Sequence, residues 1–218
     1  MSIIHKDIAA IREDYSKYSL DEKDTLAKPI EQFKKWFEEA VNAEVIEANA
    51  MVLATNSTDG YPSSRVVLLK DIKPEGFSFF TNYKSKKGIS MLGNNKVSLL
   101  FFWPELQRQV RIEGLVRQLP QEDSDEYFAS RPKMSKIGAI ASPQSHVIKD
   151  RSVLEERVAE LEAIYQTEDA VPRPEHWGGY LVEPVYVEFW QGRSSRLHDR
   201  VVYERDAELQ WTRFRIAP

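Results

Sequence analysis

The chain has 218 residues, with 30 Lys and Arg against 34 Asp and Glu for a formal net charge of −4, 42% hydrophobic residues and no cysteine. Without cysteine there is no disulfide, no thiolate nucleophile and no cysteine-type zinc site; the apolar content excludes a disordered chain. No apolar run approaches the ~20 residues of a membrane helix, Met1 to Asp7 lacks the apolar run of a signal peptide, and mild acidity counts against bulk nucleic-acid binding, so the expectation is a soluble cytoplasmic protein with no membrane or nucleic-acid partner.

Residues 1–25 are polar and charged, with Ile8, Ile11 and Tyr15 at helical spacing. They read as an N-terminal arm with one amphipathic helix, ahead of a single domain over 26–218. Pro29 opens a helix, since its missing N–H would be unpaired at the first position anyway, and Ile30, Phe33, Phe37, Ala40 and Val41 form its apolar stripe. Met51 to Thr55 is a buried strand, and Asp59-Gly60 signals a turn. Arg65 to Lys70 is a second strand and Phe77 to Thr81 a third. Ser85 to Asn94 is a short helix. Strands follow at Val97 to Trp103 and Val110 to Leu119. A helix over Glu122 to Arg131 stops before Pro132, because the residue before proline avoids helical geometry. Another runs from Arg151 to Tyr165, with Val153 or Leu154, Val158, Leu161 and Tyr165 on its apolar side. Gly179 to Trp190, Arg200 to Arg205 and Trp211 to Ile216 are the last strands. Strands and helices do not alternate strictly, which predicts a mainly β fold: an antiparallel barrel with helices around it.

The absent motifs narrow the chemistry. There is no Gly-x-Gly-x-x-Gly after a strand and no Walker-type loop. His5, His146, His176 and His198 have no metal-binding spacing, so no metal is expected. What remains is a set of cations and hydroxyls suited to phosphate. Lys84, Ser85, Lys86 and Lys87 lie at a helix start, where free N–H groups and the helix dipole favour an anion; a solvated basic turn is the plain alternative. Arg65 and Lys70 fall on opposite faces of their strand. Tyr127 and Arg131 share one helix face, with Ser135 in the following loop, and could close around a phosphate; a C-terminal arginine on the helix dipole is the alternative. If Arg196 to Arg200 is extended, Arg196, His198 and Arg200 face one side and Leu197 points into the core. Three such cations need an anion or an electron-rich ring, or else an acidic partner each.

Taken together, Arg65-Val66-Val67-Leu68-Leu69-Lys70, Phe80-Thr81, Ser85-Lys86-Lys87, Gln144-Ser145, Trp177-Gly178-Gly179, Phe189-Trp190-Gln191-Gly192 and Arg196-Leu197-His198-Asp199-Arg200 closely resemble the pyridoxine (pyridoxamine) 5′-phosphate oxidase family, from about Ile11 to Pro218. The resemblance implies an FMN-binding split β-barrel, antiparallel and Greek-key-like, in a homodimer with FMN at the interface. It implies FMN contacts from Arg65, Val66, Val67, Leu68, Leu69, Lys70, Phe80, Thr81, Lys86, Lys87, Gln109, Gln144, Ser145, Trp190 and Arg200. Substrate would meet Lys70, Tyr127, Arg131, Ser135, Arg196, Leu197 and His198, with Arg12 and Tyr15 from the arm, and Arg196 and His198 in the catalytic role. Lys86 departs from the arginine common there, which turns a forked phosphate contact into a point charge. The implied reaction converts pyridoxine 5′-phosphate or pyridoxamine 5′-phosphate to pyridoxal 5′-phosphate, with O2 as acceptor and H2O2, plus NH3 from the amine, as products. A different flavin split-barrel oxidoreductase and a non-catalytic flavin or pyridoxal phosphate carrier are the alternatives.

Overall fold

The structure is a computed structural model that describes residues 13–57 and 59–218. Arg12, Ile8 and Ile11 lie outside the described residues. From residue 13 to Leu20 the chain has no helix, so the expected arm helix does not extend through Tyr15.

Nine strands among the described residues hydrogen-bond in the order β2-β1-β5-β6-β7-β4-β3, with β8 on β7 and β9 on β8. They are β1 (Ala50–Asn56), β2 (Pro62–Leu68), β3 (Asp71–Lys73), β4 (Gly76–Asn82), β5 (Lys96–Trp103), β6 (Arg108–Gln118), β7 (Trp177–Gln191), β8 (Asp199–Arg205) and β9 (Trp211–Arg215). The helices are α1 (Pro29–Asn42), α2 (Lys86–Gly93), α3 (Gln121–Ala129), α4 (Lys133–Ala141) and α5 (Ser152–Ile164). The expected mainly β class with peripheral helices holds. Two elements escaped the sequence reading. One is β3, three residues long; the other is α4, which Pro132 starts as N-cap just after it ends the helix before it.

The chain divides into two compact units. The first comprises residues up to Ala48, Leu100–Ile112 and Val185–Pro218. Its core is aromatic: Phe33, Phe101, Phe189 and Tyr203 are fully buried, and Trp36 meets Phe189 edge-on at 5.2 Å. The Trp103 indole N–H donates to the Ala48 carbonyl at 3.0 Å, so its polar atom is satisfied inside. In α1 the stripe differs from expectation at one end. Trp36 is buried, whereas Val41 is 53% exposed; eight residues beyond Phe33, Val41 has rotated off the buried face. In this unit β7 pairs antiparallel with β8, with Trp190 opposite Arg200.

The second unit comprises Asn49–Leu99 and Glu113–Pro184. Here β1 pairs antiparallel with β2, β3 with β4, and β4 with β7, with Phe80 opposite Gly179. Gly179 is dictated by packing, since a Cβ there would lie 2.8 Å from the Phe80 ring. A separate core of Phe128, Ile137, Ala141, Leu161, Val171 and Trp177 ties the helical insert to the start of β7. On α5 only Leu161 is buried, and Val153 is exposed.

Candidate active site

In the second unit, Ser85 caps α2 by accepting the Gly88 N–H. That turn delivers Lys87 to a set of neutral oxygens. Its Nζ donates to Gln144 Oε1 at 2.8 Å, Ser85 Oγ at 3.2 Å and Thr81 Oγ1 at 3.3 Å. Arg65, half-buried on β2, donates to the Leu53 carbonyl at 3.1 Å, Thr55 Oγ1 at 2.9 Å and Ser63 Oγ at 2.8 Å. Among the described residues neither cation has a carboxylate partner. Burial, with the Arg65 charge adding to it, pushes the Lys87 ammonium down to about 8; burial likewise lowers Arg65. Two cations held by neutral acceptors form a place for an anion. Lys86 is exposed, and so are Gln144 and Ser145, with Ser145 in the left-handed region at φ 72°. Along the second predicted strand, Val66 and Leu68 are exposed and Leu69 is buried. The strand ends at Leu68, so the alternation expected to set Arg65 and Lys70 on opposite faces does not reach Lys70; Arg65 is half-buried and Lys70 exposed.

A second group lies in the same unit. Tyr127 on α3 stacks on Phe80 at 4.0 Å, and Phe80 stacks on Trp177 at 5.5 Å. Lys70 Nζ stands 5.9 Å from the Tyr127 ring centre, and a cavity of about 320 Å³ is lined by Lys70, Phe80 and Tyr127 together with the carboxylates Asp71, Asp123 and Glu126, of which Asp123 is paired with Lys73. Arg131 does not share the helix with Tyr127, because α3 stops at Ala129. It converges through Trp177 instead: its guanidinium lies 4.6 Å from that ring, and Tyr127 is parallel to the same ring at 6.1 Å. Arg131 Nη1 is buried with no hydrogen-bond partner among the described residues, and burial lowers its pKa. Ser135 sits in the first turn of α4, exposed, and not in a loop.

In the first unit, the loop after β7 departs from the extended path expected of it. Ser194–Arg196 is a helical turn, and Ser195 and Arg196 both have left-handed backbones at φ 56° and 60°. Strand alternation therefore begins only at Asp199, and Leu197 is 70% exposed instead of pointing into the core. The three cations do not line one face. Arg200 turns to Glu188, with Nε to Oε1 at 2.8 Å and Nη2 to Oε2 at 2.9 Å, and its Nη1 reaches the Ala217 carbonyl at 2.9 Å. Arg111 also donates to Glu188, at 3.0 Å, and Tyr186 Oη lies 3.2 Å away. Burial pushes the Glu188 carboxyl up, but the two arginines outweigh it and hold the pKa below its ordinary value. Tyr186 is pushed up to about 12 by burial and by that carboxylate. His198 packs 4.5 Å from the Trp190 ring, with Tyr15 6.1 Å away on the arm. Tyr15 is why residue 192 is glycine: a Cβ there would lie 2.5 Å from its ring. Arg196 is exposed in the cavity that Tyr15, Arg193 and His198 line. Gln109 stands on β6, part-exposed, on the face opposite buried Arg108.

The structure thus gathers Arg65, Thr81, Lys87 and Gln144 at one point, Lys70, Phe80 and Tyr127 at a second, and Tyr15, Trp190, Arg196 and His198 at a third. Three contributors escaped sequence reasoning. Trp177 is the ring shared by Tyr127 and Arg131. Glu188 is the acid for Arg200, and nothing in the sequence set it apart from Glu183 on the same strand. Arg193 holds Asp199 through Nη1 at 3.0 Å and His198 through its backbone.

Two family profiles match the chain: one described as pyridoxamine 5′-phosphate oxidase over residues 37–165, the other as the pyridoxine 5′-phosphate oxidase C-terminal dimerisation region over 177–218. A pyridoxine/pyridoxamine 5′-phosphate oxidase of Leptospira interrogans is 56% identical over 211 residues, 97% of this chain and 98% of that protein. One from Cytophaga hutchinsonii is 52% identical with the same coverage. Among solved structures, PhzG from Burkholderia lata 383, in complex with tetrahydrophenazine-1-carboxylic acid, superposes with a TM-score of 0.88 at 33% identity, covering 94% of this chain and all of that one. A pyridoxamine 5′-phosphate oxidase-related FMN-binding protein from Nostoc punctiforme shares the fold, with a TM-score of 0.69 at 17% identity over 85% of this chain and 97% of its own.

Proposed function

The chain belongs to the pyridoxamine 5′-phosphate oxidase family, and from that premise we propose that it oxidises pyridoxine 5′-phosphate or pyridoxamine 5′-phosphate to pyridoxal 5′-phosphate, passing electrons through FMN to O2 and releasing H2O2, with NH3 from the amine. The observation that carries this reading is a pair of anion-seeking sites in one unit. Among the described residues Lys87 and Arg65 have only neutral acceptors, and Arg131 keeps a buried Nη1 without a partner. A phosphorylated cofactor and a phosphorylated substrate call for two such sites.

The residues fit FMN. Lys87, Arg65, Thr81, Gln144 and Ser145 would hold its phosphate end, and Trp190, Arg200 and Gln109 the rest, at the interface of a homodimer. The C-terminal dimerisation profile over 177–218 supports that assembly. When bound, FMN supplies the hydride acceptor and the route to oxygen. The chain's own share is placement. Lys70, Tyr127, Arg131 and Ser135 would grip the substrate phosphate, with the Phe80–Tyr127–Trp177 stack as a stiff wall that keeps the pyridine ring in register. Arg196 and His198 would face the ring and its C4′ substituent and stabilise charge as it shifts. Tyr15 would close over them and exclude water.

The match to PhzG favours one second reading, an oxidase of a tricyclic carboxylic acid on the same flavin scaffold. The two separate on the substrate phosphate. The deciding assay incubates the FMN-loaded protein with pyridoxine 5′-phosphate and measures H2O2 and pyridoxal 5′-phosphate. Equal amounts of both are expected; a yellow protein that forms neither sinks the proposal.

A further inference from the structure

One nitrogen of His198 is already committed. The backbone N–H of Arg193 donates to its Nδ1 at 3.1 Å. An amide N–H has no lone pair, so Nδ1 must supply one, and a neutral imidazole with a lone pair on Nδ1 carries its proton on Nε2. Protonating Nδ1 as well would set two N–H groups against each other.

The loop is built to keep this arrangement. The Gly192 N–H donates to the Gln107 carbonyl at 2.8 Å, and the Leu197 N–H closes back on the Ser194 carbonyl at 3.1 Å. Arg193 is pinned at its other end by Asp199, whose carboxylate also takes Arg215 and the Leu20 N–H. The groups around the ring are therefore Trp190 and Tyr15, the Arg193 and Arg196 cations, and an Asp199 already shared among three donors; Glu13 and Asp14 stand further along the same cavity. Burial and the Arg196 charge lower the His198 pKa, against the pull of Asp199.

We propose that His198 acts as a neutral hydrogen-bond donor through Nε2–H, fixed in that tautomer by the Arg193 amide as its positioning group. Its partner is then an electron-rich atom of the substrate, an oxygen or nitrogen with a free lone pair. It does not receive the proton that the substrate releases. The identity of the partner rests on the function proposed above; the tautomer does not.

Two measurements decide it. Nitrogen-15 NMR of the FMN-loaded, histidine-labelled protein at pH 7 should show one pyridine-type and one pyrrole-type nitrogen for His198, with the pyrrole type at Nε2 and the signal assigned by its loss in His198→Gln. A pyrrole-type Nδ1, or two protonated nitrogens, overturns the proposal. For turnover, His198→Gln keeps a non-basic N–H near Nε2, whereas His198→Glu offers an acceptor. The glutamine variant should keep kcat/KM within about tenfold of the parent, the scale of one displaced neutral hydrogen bond, and the glutamate variant should fall well below it. If glutamate matches or exceeds glutamine, His198 is a base and the proposal fails. If neither the parent nor any variant turns over pyridoxine 5′-phosphate, the functional reading fails while the NMR still decides the tautomer.

Discussion

Lys87 shows what burial does to a single cation. Its pKa falls to about 8 in the folded chain, below the ordinary 10.5. The folded chain thus sheds this proton first, so this group's contribution to stability rises with pH between about 8 and 10.5. A phosphate placed against it needs the charged form, so FMN binding takes up that proton. FMN affinity should therefore hold below pH 8 and weaken by up to about tenfold per pH unit above it, the slope of one linked proton. A fluorescence titration of FMN at several pH values reads this directly, and in Lys87→Met the pH dependence should vanish. Arg131 and Arg196 should separate by kinetic parameter. Arg131→Ala is expected mainly to raise KM for the phosphorylated substrate, and Arg196→Ala to lower kcat. Steady-state assays decide, and an unchanged kcat/KM in Arg196→Ala contradicts its role. Arg131 meets Tyr127 through Trp177 and not through the shared helix face that its spacing implied, so of these residues only the place of Lys87 at a helix start was legible in the sequence. Arg193 and Glu188 were not, since one acts through its backbone and the other across a strand register that no linear spacing reveals.

Glu188 and the loop behind it show why elements are harder to read than residues. The carboxylate of Glu188 is 1% exposed and neutralised by Arg200 and Arg111. Removing one partner of such a buried pair costs about 3–5 kcal/mol, because the remaining charge is left uncompensated. Glu188→Gln should lower the unfolding free energy at neutral pH by less than that, because Arg200 and Arg111 keep 22% and 43% of their side chains in solvent. Because the folded carboxyl titrates below its ordinary 4.5, its stabilisation is present above pH 4.5 and is lost as pH falls through the folded value. Parent and variant should accordingly converge in acid, as chemical denaturation at two pH values will show. The strands were largely legible, each carrying a β-branched or aromatic run between turn signals. The turn at Ser194–Arg196 was not, because two successive non-glycine residues with positive φ are rare; the bond from Leu197 to Ser194 closes the turn. Reading through that turn as strand put Leu197 inside and aligned three cations that the structure separates.

Across the whole molecule, the net charge of −4 conceals local concentrations of positive charge at a few points, which is how an acidic protein can hold two anions. A site completed by both chains of a homodimer has a clear signature. Lys87→Ala and Arg196→Ala, each impaired alone, should recover about a quarter of parental activity when mixed and allowed to exchange, since half the dimers then carry one intact site. No recovery after proven exchange means that both residues serve the same site from one chain. Finally, the aromatic clusters give the molecule an optical handle. Trp177 belongs to the Tyr127 stack and Trp190 to the His198 loop. Flavin absorbs where tryptophan emits, so energy transfer should quench both. Trp36, Trp103 and Trp211 emit as well, so the change in ligand-induced quenching between the parent and a Trp177→Phe or Trp190→Phe variant reads the contribution of that one cluster, with no label added.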